Sequence, residues 1–78
     1  MIVREAIGIV IREIRKERGL TIQQLATMTN VSEFTIVLIE GGNLQLSGKE
    51  LLSISNALSC HPRSIINLTD RLLNKFRG

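Results

Sequence analysis

Four helix-start signals divide this chain into short segments, and they limit what it can fold into. The signals lie at Thr21, Ser32, Ser47 and His61. The first and third have the form of a capping box, because Gln24 follows Thr21 and Glu50 follows Ser47 by three residues. Ser32 is a good N-cap residue, and Pro62 stands at the favoured first position of a helix. The sequence therefore predicts an all-α fold built from short helices.

The spacing of apolar residues gives approximate bounds for five helices. Residues 4–18 form an amphipathic pattern, with Ile7, Val10, Ile11 and Ile14 at i, i+3, i+4 and i+7. The later helices are expected from Thr21 to about Met28, from Ser32 to about Gly41, from Ser47 onward, and from His61 onward, with residues 70–76 as an extension or a last turn. We expect one domain over residues 1–78, a compact bundle of five short helices.

One segment also supports a different local structure. Residues 34–39 are rich in β-branched side chains, and Gly41, Gly42 and Asn43 are typical of turns. Taken locally, residues 34–47 are compatible with a β-hairpin. We favour a helix from Ser32, since capped helices surround the segment and propensity is weak against tertiary context.

Composition excludes several classes of protein. The 22% of charged residues in a chain with 44% apolar content argues against disorder. One Cys and one His cannot form an intrachain disulfide or supply four zinc ligands. We expect no metal and no cofactor, and a reducing cytoplasm fits the cysteine content. No apolar run approaches the roughly 18 residues of a membrane helix.

The sequence holds no constellation of catalytic residues. It contains no glycine-rich phosphate loop, no H-E-x-x-H and no G-x-S-x-G motif. Cys60 and His61 are adjacent, so they do not face each other on a helix, and no third polar residue is evident for a nucleophilic dyad. We interpret Cys60 as a buried structural residue and expect no enzyme.

Basic residues are absent from the middle of the chain. The net charge is +3, and all ten Lys and Arg residues lie in residues 1–18 or from Lys49 onward. Residues 19–48 carry only two charges, the acids Glu33 and Glu40. A basic balance favours polyanionic partners, but the central segment does not contribute to it.

The layout resembles the XRE-type helix-turn-helix family of Cro and the phage repressors. The resemblance rests on "IREIRKERGLTIQQLA", "NVS", "IVLIEGG" and "LLSISNALSCHPRSI". It implies five helices, with residues of about 21–40 forming the helix-turn-helix and the third helix lying in the major groove. Ala26 would sit where the two helices cross. The resemblance also implies a buried ion pair between Arg15 and Glu40. A Cro-like regulator, a restriction–modification controller protein and an antitoxin all fit this family.

The same resemblance implies which residues contact DNA. They are Ile22, Gln23, Ser32, Glu33, Phe34, Thr35 and Leu38 at the two helices, with Asn43 and Lys49 beyond them. Family members often place amide or cationic side chains at such positions, because Gln and Asn pair with adenine and Arg with guanine. If Ile36 points inward, Phe34 and Leu38 lie about 160° and 200° away at 100° per residue. The predicted outer face of the third helix is therefore apolar.

Three interpretations of this apolar face follow. In the first, Phe34 and Leu38 contact thymine methyls and Glu33 accepts from a cytosine amine, so the protein is a sequence-specific regulator of double-stranded DNA. In the second, the face binds a protein partner, as in an anti-repressor or an antitoxin. In the third, the helix is buried on all sides, which a domain of this size makes improbable without a partner.

An apolar stripe near the C-terminus suggests a homodimer contact within residues 62–77. The stripe consists of Ile65, Leu68, Leu72 and Phe76. Family members commonly pair through this end, and a two-fold dimer would place two third helices about 34–36 Å apart. The alternative is that the same residues complete the core of one chain.

Overall fold

The computed structural model describes residues 1–76, and in that range it contains five α-helices and no strand. The helices are α1 (Val3–Glu17), α2 (Ile22–Thr29), α3 (Glu33–Glu40), α4 (Gly48–Ala57) and α5 (Pro62–Lys75). The predicted all-α fold is confirmed, and the hairpin alternative for residues 34–47 is wrong because α3 occupies the first part of that segment. Residue 77, the end of the predicted dimer segment, lies outside the described residues.

The predicted capping residues make hydrogen bonds at the starts of their helices. At α2 the Thr21 hydroxyl accepts from the Gln24 amide at 3.0 Å, and the Gln24 side chain accepts from the Thr21 amide at 2.9 Å. The Ser47 hydroxyl and the Glu50 carboxylate make the same exchange at α4. These bonds satisfy amides that a helix cannot pair internally. α2, α3, α4 and α5 therefore each begin at a side-chain cap, as the sequence predicts.

All five helices contribute to one apolar core. Its fully buried members are Ile11, Leu25, Ile36, Ile39, Ile54, Leu58 and Ile65. Val10, Ile14 and Ala26 complete the cluster. α5 packs chiefly against α1, and α3 packs against both α1 and α2. The core thus fixes α3 from two sides and leaves its third side to solvent.

The start of α1 packs very closely on the end of α3. A Cβ atom at Gly8 would collide with the backbone oxygens of Ile39 and Glu40. Gly42 has a φ of 74°, a conformation that residues with a side chain rarely adopt. It also lies against the backbone of Glu5, which leaves no space for a Cβ atom. These two glycines allow backbone contact between α1 and the end of α3, which sets the position of α3.

The burial of α5 corrects one prediction. Ile65 is fully buried in the core of this chain, so it cannot contact a second copy. Leu72 is partly buried and packs against the same core. Leu68 and Phe76 are exposed. Part of the stripe therefore completes the core of this chain, and only its exposed members remain available for the predicted contact with a second copy.

Candidate nucleic-acid interface

A short turn joins α2 to α3 and sets the angle between them. Asn30 adopts a left-handed conformation with a φ of 59°, which Asn tolerates better than most residues. The Val31 amide donates to the Ala26 carbonyl at 3.2 Å. Ser32 then caps α3 by accepting from the Thr35 amide at 3.0 Å. Ala26 is buried, as expected of a small residue where two helices cross.

α3 has one face in the core and one face in solvent. Ile36 and Ile39 are almost completely buried, whereas Phe34 is 71% exposed and Val37 is 48% exposed. Leu38, which was predicted to face outward, is half-buried rather than exposed. Its carbonyl accepts from the Asn43 amide at 2.8 Å, where the chain turns away from α3. The exposed apolar face of α3 is therefore formed chiefly by Phe34 and Val37.

The prominence of Val37 was missed at the level of sequence, although the signal was available. Ile36 and Ile39 both face inward, so the inward direction lies between them rather than at Ile36. Measured from that midpoint at 100° per residue, Phe34 is about 170° away, while Val37 and Leu38 are each about 130° away. With both inward residues as the reference, the sequence predicts the same outward angle for Val37 as for Leu38.

Arg15 and Glu40 form a buried ion pair between α1 and the end of α3. Arg15 Nε donates to Glu40 Oε2 at 2.7 Å, and its Nη2 donates to Glu40 Oε1 at 3.0 Å. The two side chains are 10% and 6% exposed. Arg15 Nη1 also donates to the Leu20 carbonyl at 2.8 Å. The hydrogen bond to Glu40 raises the pKa of Arg15 above its ordinary value. Each of the three guanidinium nitrogens therefore donates within the protein.

Two grooves flank the exposed apolar face of α3. One groove lies between α2 and the start of α3, where it brings together Gln23, Ser32 and Glu33. The other is lined by Ile22, Val37 and Arg12, with the Arg15–Glu40 pair at its floor. The two grooves thus gather four of the predicted DNA-contacting positions beside α3, and the second groove adds the cation Arg12 from α1. That cation matters because residues 19–48 contain none.

The two hydroxyls at the start of α3 are partly occupied. Ser32 Oγ accepts from the Thr35 amide and donates to Thr35 Oγ1 at 2.8 Å. The proton of Ser32 is therefore used within the helix cap. The Thr35 hydroxyl can still donate outward, because it only accepts in this pair.

Asn43 and Lys49 do not line these grooves. Both are exposed, Asn43 in the loop after α3 and Lys49 in the first turn of α4. Arg4 stabilises the start of that loop, since its Nε donates to the Gly42 carbonyl at 2.9 Å.

Cys60 and His61 have structural roles in this chain. Cys60 is half-buried against the core rather than fully buried. Burial raises the pKa of its thiol, opposed by the nearby charge of Arg18, so its reactive thiolate form is disfavoured. His61 Nδ1 accepts from the Arg63 amide and caps α5.

The described residues hold neither a metal-binding cluster nor a membrane-spanning helix. Within residues 1–76, no group of three or more His, Cys, Asp or Glu residues is placed to hold a metal ion. None of the helices in that range is long and apolar enough to cross a membrane.

Known structures share this arrangement of helices. The clp gene regulator ClgR from C. glutamicum is 27% identical, with a TM-score of 0.86 over 90% of this chain and 91% of that one. The restriction-modification controller protein C.AhdI from Aeromonas hydrophila is 26% identical, with a TM-score of 0.77 over 78% and 92%. The controller protein C.Esp1396I is 25% identical, with a TM-score of 0.87 over 96% and 97%.

A family comparison agrees with these structures. No curated protein is significantly similar to this chain in sequence. A helix-turn-helix family model, however, matches residues 11–65, which include α2, α3 and both residues of the buried ion pair. The predicted resemblance is confirmed: the chain belongs to the XRE-type helix-turn-helix family and is a DNA-binding transcriptional regulator.

Proposed function

We propose that this regulator binds a double-stranded operator in a sequence-specific manner as a homodimer, with α3 of each copy in the major groove. The observation that carries the proposal is the exposure of Phe34 and Val37 on the outer face of α3, opposite the buried Ile36 and Ile39. Such a regulator acts in the cytoplasm on its DNA target. It acts by binding, without catalysis.

The base contacts come from α3 and the start of α2. Phe34 and Val37 provide apolar contacts, Leu38 a smaller one, and Glu33, Thr35 and Gln23 provide hydrogen bonds. Ile22 and Ser32 lie at the edges of the same surface.

Phosphate contacts come from outside the helix-turn-helix. Arg12 lies beside Val37 in the groove that reaches the end of α3. Asn43 is exposed in the loop that follows the same end, and Lys49 is exposed in the first turn of α4. Such contacts fix the register of the protein on the duplex. Arg15 is excluded from this role, because its donors are directed to Glu40 and Leu20.

The dimer contact is assigned to the exposed side of α5 and the start of α1. Leu68 and Phe76 are exposed, and Leu72 presents the part of its side chain that the core does not cover. Phe76 and Leu73 share a groove with Met1, Ile2 and Val3. A contiguous apolar area of this kind favours a protein contact. With few phosphate contacts per chain, two linked copies are needed for useful affinity.

Selection from a random duplex library at low salt tests the proposal. We expect one enriched palindromic site whose half-sites lie one helical turn apart, about 34–36 Å. Binding to that site should weaken steeply as salt increases. Sedimentation equilibrium should give a dimer. An absence of any enriched sequence would contradict the operator proposal.

A second candidate function rests on the same exposed residues. An apolar face that includes Phe34 and Leu38 and carries no Lys or Arg also suits a protein partner, as in an anti-repressor or an antitoxin. Such a protein would leave no footprint on DNA. It would form a stoichiometric complex with a larger partner, and substitution of Phe34 would dissolve that complex.

A further inference from the structure

We propose that the exposed apolar face of α3 recognises the C5-methyl group of a pyrimidine, and that Glu33 extends this recognition to methylated cytosine. The inference deepens the proposed function and rests on it, because it needs α3 to lie in the major groove. The ligand chemistry has two sources, thymine and 5-methylcytosine, which share the methyl group at C5.

The donors and acceptors of α3 carry the first step. Guanine presents only acceptors in the major groove, and adenine is recognised by paired donor and acceptor groups, for which Arg and Asn or Gln are suited. α3 contains no Arg, Lys, Asn or Gln. Its side chains towards solvent are one carboxylate, one hydroxyl and three apolar groups. α3 therefore offers no side chain for the bidentate pairing that recognises adenine or guanine.

The exposure of Phe34 carries the second step. The ring is 71% exposed at the start of α3, and Val37 extends the apolar area by one turn. In the major groove, the C5-methyl group of thymine is the apolar feature of the standard base edges. A methyl group on cytosine C5 occupies the same place. Contact with such a group removes apolar surface of the ring from water, which is favourable.

Glu33 carries the third step. Its side chain is exposed, and within residues 1–76 it takes part in no ion pair. A carboxylate can accept from the N4 amine of cytosine but not from thymine, whose O4 is itself an acceptor. The amine and the C5 position are neighbours on one edge of the cytosine ring. A 5-methylcytosine would therefore satisfy Glu33 and Phe34 together, whereas thymine satisfies only Phe34.

The experiment uses the operator obtained by selection and measures dissociation constants on modified duplexes. Uracil replaces thymine, 5-methylcytosine replaces cytosine, and a 5-methylcytosine–guanine pair replaces a thymine–adenine pair, at one position at a time. Removal of a contacted methyl group should weaken binding about fourfold, from roughly 0.8 kcal/mol per buried methyl. Addition of a methyl group to a contacted cytosine should strengthen binding by a similar factor.

Three variants assign these effects to residues. Phe34→Ala should remove both methyl effects. Glu33→Gln should remove the preference for 5-methylcytosine over thymine while the thymine–uracil difference remains. Met28→Ala, which truncates an exposed apolar residue of α2, should leave both methyl effects unchanged.

The outcomes separate this inference from the proposed function. Equal affinity for every modified duplex, or methyl effects that persist in Phe34→Ala, overturns methyl recognition while the operator proposal stands. An unchanged preference for 5-methylcytosine in Glu33→Gln overturns the role of that carboxylate. Failure to select any operator overturns the proposed function itself.

Discussion

Two apolar surfaces of this protein have similarly exposed side chains but differ in their surroundings. On α3, Phe34 and Val37 are 71% and 48% exposed, and on α5, Phe76 and Leu68 are 63% and 40% exposed. Phe76 lies in a groove lined by other apolar residues from the start of α1. Phe34 instead has the polar neighbours Glu33 and Thr35, and polar and basic side chains line the grooves beside α3.

The comparison shows that exposure alone does not identify a partner. A continuous apolar area is best covered by another apolar surface, as in a dimer. An apolar side chain among hydrogen-bonding groups suits a polar partner that offers isolated methyl groups, which describes the major groove. The predictions below separate the two surfaces, beginning with the scaffold that both of them need.

Removal of Arg15 should have the largest effect. Arg15→Ala leaves the carboxylate of Glu40 buried without its partner, and breaking a buried pair in this way costs about 3–5 kcal/mol. Urea unfolding followed by circular dichroism measures the change. Arg12→Ala, an exposed arginine one turn earlier, is the control and should change stability by less than about 0.5 kcal/mol. Equal stabilities of the two variants would show that the pair is effectively solvated.

A methyl group at Gly8 should have the next largest effect. Gly8→Ala forces the new Cβ atom against the backbone of Ile39 and Glu40, and overpacking of this kind costs about 1–3 kcal/mol. Gly48→Ala is the matched control, since a Cβ atom there meets nothing within 4 Å. Thermal unfolding of both variants should show a decrease for Gly8→Ala only. An unaffected Gly8→Ala would mean that α1 and α3 can separate easily.

Truncation of Phe76 should affect assembly. Phe76→Ala should weaken the dimer about tenfold or more, since aromatic residues at the centre of a contact contribute most of its free energy. Sedimentation equilibrium measures the dimer, and binding to single operators of varied sequence measures base preference. DNA affinity should fall while base preference stays the same. A change of preference would place α5 at the DNA.

Truncation of Phe34 should give the opposite pattern. Phe34→Ala should keep the dimer and change the free energy of unfolding by less than about 0.5 kcal/mol, because the ring is already in solvent. Operator affinity should fall severalfold, and the preference among pyrimidine variants of the site should relax. Loss of the dimer in this variant would reassign the apolar face of α3 to subunit contact.

Removal of Arg12 should have the smallest effect. Arg12→Ala should reduce the salt dependence of operator binding by about one unit of slope per contacted phosphate and weaken all sequences alike. Arg71→Ala, an exposed change on α5, should leave the slope unaltered. A sequence-dependent loss in Arg12→Ala would instead mean that this guanidinium contacts a base.

The helices could be predicted closely, and so could part of the candidate site. The starts of α2, α3, α4 and α5 follow from caps at Thr21, Ser32, Ser47 and His61. The outward direction of Phe34 follows from helical periodicity. The prediction that Ile65 contacts a second copy is wrong. Periodicity shows that residues share one side of a helix, but not whether that side packs on the same chain or on another copy.

The sequence by itself determined the helices, their order and the helix-turn-helix spacing, since caps and turns are made between residues three or four apart. Only the tertiary structure decided which apolar residues stay outside. It buried Ile65, left Val37 more exposed than expected, engaged Arg15 with Glu40, and required Gly8 where α1 meets α3. These outcomes depend on how closely distant segments approach, which packing fixes only when all the helices are in place.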